Sequence, residues 1–252
     1  MKPRLIILAA GEGRRLGGKV KTLVSFTGYG TALYGIADNL ARHVEHVTVV
    51  AGYRRWQLFE AVPSVFGRFG LEAGVVLNDS WKSTNTAYSL ALALESVMWA
   101  CGVLVCNADL VFINPLKVGL VPSLDDQHTS WALCDPEVTE DEEAVLVRFE
   151  AIGGKTRVGV IGKIGTGDAE AVGLYYLSPT LCAAYLDTWR RMPRGERAKA
   201  YHEDVLNTLD PQRLNMEPWV LPGAAKVLEF DTPEDVERIE AELDGADYKN
   251  LL

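Results

Sequence analysis

At 252 residues, 48% of them apolar and 23% charged, the chain is long enough for one large α/β domain or two small ones, with the composition of an ordinary globular protein. Its net charge of −9 argues against a general nucleic-acid or membrane-surface binder, which would need a basic face. No stretch approaches the ~20 apolar residues of a membrane span. Cys101, Cys106, Cys134 and Cys182 show neither C-x-x-C pairing nor zinc spacing, so a cytoplasmic protein with reduced thiols is expected.

The first six apolar residues after the start, Leu5 to Ala10, have the length of one buried strand. They are too short for the core of a leader, and Glu12, Arg14 and Arg15 stand where cleavage would fall. Gly11 and Gly13 follow, and Arg14, Arg15, Lys19 and Lys21 then place four cations within eight residues. Glycines let a backbone approach a ligand closely, and exposed N–H groups beside cations suit an anion with several phosphates. A dinucleotide loop would need its third glycine at position 16, where Leu16 stands, and an acidic residue ending the second strand, where Gly52 stands. Hydride transfer is therefore disfavoured.

Thr31 to Glu45 reads as a helix, Val47 to Ala51 as a second strand, and Arg54 to Phe66 as a helix broken near Pro63. Gly74 to Leu77 is a third strand that runs into the polar stretch from Asn78 to Asn85. Thr86 to Trp99 is helical, and Gly102 to Cys106 is a fourth strand closing on Asn107-Ala108-Asp109. Such alternation implies parallel strands joined by helical crossovers, with ligands at the carboxyl ends of the strands. The basic loop, the polar stretch and Asp109 all fall at such ends.

The second half is less regular. Ser130 to Cys134 and Ala144 to Glu150 read as strands flanking an acidic loop, Glu137 to Glu143. Gly153 to Gly167 reads as a turn-rich hairpin carrying Lys155, Arg157 and Lys163. Gly173 to Leu177 is a strand, Ser178-Pro179 a helix start, 191–199 a polar connection and Tyr201 to Leu209 a short helix. Val227 to Phe230 is a last strand ending at Asp231, and Thr232 to Asp235 caps a helix that runs to about Leu243. One domain is expected, with a nucleotide-binding part over 1–115, an acceptor-binding part over 116–225 and a closing strand and helix over 226–252.

A carboxylate at a strand end is a natural ligand for a hard cation that also meets phosphate oxygens. Asp109 and Asp231, with a basic glycine loop, fit metal-assisted displacement at phosphorus. The other reading of Asp231 is plain helix capping.

LAAGEGRRL followed by Lys21 resembles the signature loop of the sugar-nucleotide and related nucleotidyltransferases. With STNTAYSL (83–90), NAD (107–109), AVGLYYLSP (171–179) and EFDTPEDVERI (229–239) included, the likeness covers nearly the whole chain. It is greatest to the bacterial choline-phosphate cytidylyltransferases. The resemblance implies a Rossmann-like, three-layer α/β/α fold with a mixed, mostly parallel sheet and an inserted acceptor-binding portion. It implies Mg2+ on Asp109 and Asp231, with Arg15 and Lys21 acting on the triphosphate of CTP. Ala9, Ala10, Gly11 and Gly13 would meet the nucleotide through backbone, Arg14 would assist, and Asn78, Ser83, Thr84 and Asn85 would read the base.

The acceptor expected is a small phosphate or phosphonate, guided by Lys163. A choline headgroup would want an aromatic cage with carboxylates, for which Tyr175, Tyr176, Tyr201, Trp219, Glu203 and Asp204 are candidates. A small anionic acceptor would use Lys163, Arg157 or His202 instead. The loop departs from the family pattern at Arg14 and Val20. It is also short between Arg15 and Lys21, a spacing closer to the molybdenum-cofactor guanylyltransferases. A sugar-1-phosphate or molybdopterin-type enzyme using another NTP therefore stays open, as does a non-catalytic nucleotide-binding regulator.

Overall fold

The computed structural model describes residues 2–113, 128–138, 144–221 and 225–245. Most of the predicted acidic loop, 139–143, lies outside the described residues, as does the start of the expected acceptor-binding part, up to 127.

The first apolar run forms β1 (Arg4–Ala9). Its side chains alternate between two cores, Ile6 and Leu8 in one, Leu5, Ile7 and Ala9 in the other. That two-residue period is the mark of a strand buried on both faces. The chain then makes 3-10 turns at Arg14–Leu16 and Lys21–Leu23 and a small hairpin of β2 (Ser25–Phe26) and β3 (Gly30–Thr31). Capped by the Thr31 hydroxyl, α1 (Ala32–Leu40) gives way to a 3-10 turn at Ala41–His43, short of the predicted Glu45. β4 (His46–Ala51) leads into α2 (Arg55–Gly67), which runs straight through Pro63 where a break was expected. Leu58, Val62 and Phe66 are fully buried on both sides of the proline, and this packing offsets the hydrogen bond it removes.

β5 (Glu72–Leu77), α3 (Thr86–Ser96), β6 (Val103–Asn107) and β7 (Leu110–Ile113) complete the first half. β8 (Ser130–Asp135), β9 (Leu146–Ile152), β10 (Lys155–Gly162) and β11 (Ala169–Leu177) follow. The stretch read as turn-rich is strand over Lys155–Gly162, with a tight turn before it at Gly153 and Gly154 and bends after it over 163–168, where Gly165 is again left-handed. Then come α4 (Pro179–Arg191), α5 (Arg194–Lys199) inside the predicted polar connection, α6 (His202–Asn207) and α7 (Pro211–Leu214). β12 (Met216–Val220), β13 (Lys226–Glu229) and α8 (Pro233–Gly245) close the chain.

Among the described residues a nine-stranded mixed sheet runs β10-β9-β11-β6-β1-β4-β5, with β8 on β11 and β12 on β8. β6, β1, β4 and β5 are parallel, and β11 turns antiparallel against β6. One face packs on α3, α4 and α6 through Leu90, Leu181 and Leu206, the other on α1 and α2 through Ile36, Val62 and Phe66. This is the three-layer α/β/α arrangement that was expected. Apart from it, β7 and β13 pair antiparallel, and α8 joins them in a third core with Phe26, Phe230 and Ile239. No helix among the described residues is long and apolar enough to cross a membrane.

Register decides where chemistry can gather. Ala9, Ala51 and Leu77 stand level across three strands, and Asn107 is level with Leu8. Ala10-Gly11, Gly52, Asn78 and Asp109 therefore emerge along one edge, beyond the carboxyl ends of four parallel strands. The small β7–β13 pair brings Asp231 there as well, since Glu229 pairs with Leu110 and the Phe230 N–H reaches the Asp109 carbonyl at 3.3 Å.

Candidate active site

The loop after β1 is shaped by Gly13, whose backbone is left-handed (φ 60°) at the start of the Arg14–Leu16 turn. Its carbonyl accepts from the N–H groups of Leu16 and Gly18, both at 3.0 Å. A Cβ at Gly13 would run into the Lys19 carbonyl, so the loop folds back on itself only because no side chain is there. Leu16 and Val20 are buried and fasten the loop to the cores beneath. Lys21 then opens the second 3-10 turn and points its ammonium at two carboxylates.

Lys21 Nζ donates to Asp109 Oδ2 at 2.7 Å and also to Asp231 Oδ1. Arg15 lies 3.6 Å from the other oxygen of Asp231. Burial alone would lower the Lys21 pKa, but the charge of Asp109 and the hydrogen bonds to both aspartates outweigh it and hold the amine above its ordinary range. Asp231 is not the helix cap. Thr232 does that work, its Oγ1 accepting from the Asp235 N–H at 3.2 Å, while the Asp235 carboxylate reaches back to accept from the N–H groups of Asp231 and Thr232 at 3.0 Å each. The Asp231 carboxylate is thereby left to face the basic loop.

Two neighbours of this cluster escaped the sequence reading. Glu229 keeps an exposed side and is hydrogen-bonded to the Asn107 side chain. Desolvation by the packed strands around it, and then the charge of Asp109, hold its carboxyl above the ordinary carboxylate range against the pull of Lys21 and Asn107. Gly173 on β11 makes room for the pair, because a Cβ there would come within 2.7 Å of Asn107 Nδ2 and 2.8 Å of Glu229 Oε1. The available signal was the spacing of two between Glu229 and Asp231, which places both side chains on one side of an extended segment.

Asp109 Oδ1 is buried and has no hydrogen-bond partner. Among the described residues no group of three or more His, Cys, Asp or Glu side chains is gathered as a metal cage. Two aspartates with one unsatisfied oxygen suit an ion that takes one or two carboxylates and completes its shell with phosphate oxygens and water, the habit of Mg2+. The donor set therefore fits the expected ion.

The base-reading assignment needs correction at Asn78. Asn78 is buried, and its amide donates to Thr84 Oγ1 at 3.0 Å and Ser89 Oγ at 3.1 Å while its carbonyl accepts from the Ser80 N–H at 3.0 Å. Ser83 and Thr84 both donate to the Ser80 carbonyl. Asn85 accepts from the Thr86 N–H and donates to the Lys199 carbonyl. Asn78 is thus committed to building the loop, while Ser83 stays exposed and Thr84 and Asn85 half-buried at its surface. Gly52 lets that loop approach β1, since a Cβ there would lie 2.6 Å from the Ala10 carbonyl and from Trp81 Cβ. The Ala10 carbonyl itself accepts from the Tyr53 N–H at 3.0 Å. Arg14 is exposed and pairs with Glu12 at 2.7 Å.

The aromatic cage is overturned for most of its members. Tyr175 is 1% exposed and donates to Glu203 Oε1 at 3.0 Å, and Glu203 is itself buried beside His202. Tyr176 is equally buried and donates to the Cys101 carbonyl. Trp219 packs in the core on the α1–α2 side, Arg157 is paired with Glu217, and Asp204 caps α6 by accepting from the Tyr201 N–H. β11 lies between neighbours on both sides in a doubly covered sheet, so its large side chains are core. Tyr201 alone of the cage aromatics is substantially exposed, and Lys163 Nζ sits over its ring at 5.8 Å. The strand of chain just before it is stitched to the start of α3, with Asn85 N–H on the Ala198 carbonyl and Ala87 N–H on the Ala200 carbonyl. Lys163 and Tyr201 are thus tied to the base loop's end, while Arg15, Lys21, Asp109 and Asp231 form the second group.

Residues 5–142, more than half of the chain, match the MobA-like NTP transferase domain family. Over 130 residues the chain is 30% identical to the bifunctional protein GlmU of Nocardia farcinica (strain IFM 10152), a match spanning 50% of this chain and 25% of that protein. The fold is also that of the inositol-1-phosphate CTP transferase from T. maritima, with a TM-score of 0.75 at 20% identity over 100% of this chain and 98% of that one. CTP:phosphocholine cytidylyltransferase from Streptococcus pneumoniae superposes with a TM-score of 0.70 at 19% identity, covering 96% of this chain and 100% of the other. This chain belongs to the MobA-like NTP transferase domain family.

Proposed function

We propose that the protein transfers CMP from CTP to a small phosphate or phosphonate acceptor, with Mg2+ on Asp109 and Asp231 and release of pyrophosphate. The observation that carries this reading is the convergence of Lys21 and Arg15 on the two strand-end aspartates. Such a cluster of fixed opposite charges is what a triphosphate and its counter-ion exchange with. Bound there, a divalent cation neutralises charge that builds on the phosphate oxygens.

The chain's own groups supply the rest. Backbone N–H groups of the Gly11–Gly13 turn, with Arg15 and Lys21, hold the triphosphate and orient its β and γ groups away from the acceptor. An oxygen of the acceptor attacks the α-phosphorus in line. The new O–P bond forms as the bond to the bridging oxygen breaks, and the electron pair leaves with pyrophosphate. A phosphate monoester, whose second pKa is about 6, is already ionised at neutral pH, so this attack asks for positioning rather than a general base. The ring of Tyr201 is already covered by a lysine ammonium, which favours an anionic group on the acceptor over a quaternary ammonium. Lys163 guides that group, with Lys199 beside Asn85 on the same stretch.

Cytosine presents an amino donor beside two acceptors, which backbone groups at Ala9–Gly11 and in the Asn78–Asn85 loop are suited to meet. The likeness in fold to two CTP-using enzymes and the downstream sequence blocks support cytosine. The short basic loop, whose spacing is closer to that of the molybdenum-cofactor guanylyltransferases, favours guanine as the second reading. Pyrophosphate release, measured with Mg2+ and each of the four NTPs against phosphocholine and small phosphonates, decides between them. CTP is expected to be the fastest donor, and a faster rate with GTP would sink the cytidylyl assignment while leaving the family untouched.

Arg15→Ala is expected to depress kcat more than it raises KM, because charge on the departing pyrophosphate grows in the transition state. Steady-state kinetics with varied CTP reads the split, and a pure KM effect would reduce Arg15 to ground-state binding.

A further inference from the structure

We propose that Lys21 is a built-in place-holder for the metal, occupying the ground between Asp109 and Asp231 until a triphosphate draws it away, so that the divalent ion enters in company with the nucleotide. This rests on the metal reading given above. The geometry is specific. One ammonium serves both carboxylates, at 2.7 Å from Asp109 Oδ2 and in contact with Asp231 Oδ1, while Arg15 takes the remaining oxygen of Asp231 at 3.6 Å. Asp109 Oδ1, buried and unpartnered, is the coordination position the lysine does not cover.

A divalent ion arriving alone would have to displace an ammonium from two charge-assisted hydrogen bonds. It would then leave that ammonium beside a dication with no anion to receive it, which is a like-charge contact in a partly buried place. A triphosphate changes the balance by offering Lys21 new oxygens on the adjoining loop. The exchange asks only for rotation of one long side chain. Thr22 is fully buried and Val20 nearly so, and they hold the turn at Lys21–Leu23 in place while the ammonium moves. The same residue is then a counter-ion for the aspartates and a ligand for the phosphates, and it couples the two binding events.

Mn2+ is the probe, its free concentration read by electron paramagnetic resonance with and without CTP and with no acceptor present. The wild-type chain is expected to bind Mn2+ weakly alone and tightly with CTP. Lys21→Met, which keeps the length of the side chain, is expected to bind Mn2+ alone at least about tenfold more tightly, the scale of one unit charge removed at contact distance. Lys21→Gln serves the same purpose should thermal unfolding show the methionine variant to be misfolded. Arg15→Met removes the same charge from Asp231 without clearing the ground between the aspartates, so it should shift affinity by much less. Equal affinity in wild type and the Lys21 variants, or an equal gain from Arg15→Met, overturns the proposal while the metal site stands. Should Asp109→Asn bind Mn2+ like wild type in every arm, the metal reading itself fails and takes this inference with it.

Discussion

Asp109→Asn is expected to fold normally and to lose turnover by a factor on the order of 10^3 or more, the scale of a removed electrostatic stabiliser. The substitution keeps the shape of the side chain, so β6, β7 and the Phe230 N–H bond to the Asp109 carbonyl are undisturbed. It also relieves crowding. Asp109 and Asp231 act by their charge on Glu229, and after desolvation the charge of Asp109 is the main cause holding the Glu229 carboxyl above its ordinary range. Lys21 keeps Asp231 as a partner. Stability should therefore change little while the place for the cation is lost, and pyrophosphate release beside thermal unfolding separates the two. Turnover close to wild type would move the metal elsewhere.

How much of this was legible depends on whether a feature is local. Leu5–Ala10 is a continuous apolar run and Val47–Ala51 one broken only by Thr48, both ended by glycine, the pattern of a strand buried on both faces, and both are strands in register. Asp109 was legible because the residue after a buried strand in an alternating βα chain has few places to go. Pro63 misled for the opposite reason. Its cost is local and readable, whereas the packing of Leu58, Val62 and Phe66 that outweighs it is tertiary. β12 was missed because Pro218 and Glu217 interrupt its pattern, and the strand exists through its parallel pairing with β8.

The site divides along the same line. Residue type told where polar groups cluster, but not which partner each would choose. Asn78, Ser83 and Thr84 sit where a base-reading loop was expected, yet short polar side chains readily bond to their own turn, and these do. For Tyr175 the signal was present in Ala169–Leu177, a nearly unbroken apolar stretch that marks a fully covered strand. Read that way it places the tyrosine in the core and not in a cage. Glu229 was hidden because its partners, Asn107 at the end of β6 and Asp109 in the turn before β7, lie far earlier in the chain and meet it only through the β7–β13 pairing.

Gly13→Ala is the substitution that tests whether loop shape, rather than loop charge, sets the rate. It changes no charged group and touches neither aspartate. At φ 60° an L side chain is strained whatever the space around it, and here the space is taken by the Lys19 carbonyl. The cost of the backbone conformation is about 1–3 kcal/mol, which a chain of this size can bear, so the variant should still fold. The loop has two ways to relieve the clash. It can push Lys19 outward, which moves Lys21 two residues later, or it can unwind the Arg14–Leu16 turn, which moves Arg15. Either way one of the two cations leaves its aspartate. A displacement of about 1 Å in a positioning group can cost on the order of 10^2 in rate, and kcat for pyrophosphate release should fall by at least that much. Gly17→Ala is the control, because Gly17 is also left-handed (φ 71°) but a Cβ there meets nothing within 4 Å. It should lose stability without a comparable loss of turnover. Equal turnover losses in the two variants would mean that backbone strain alone slows the enzyme, and that the approach of Gly13 to Lys19 does not position Lys21.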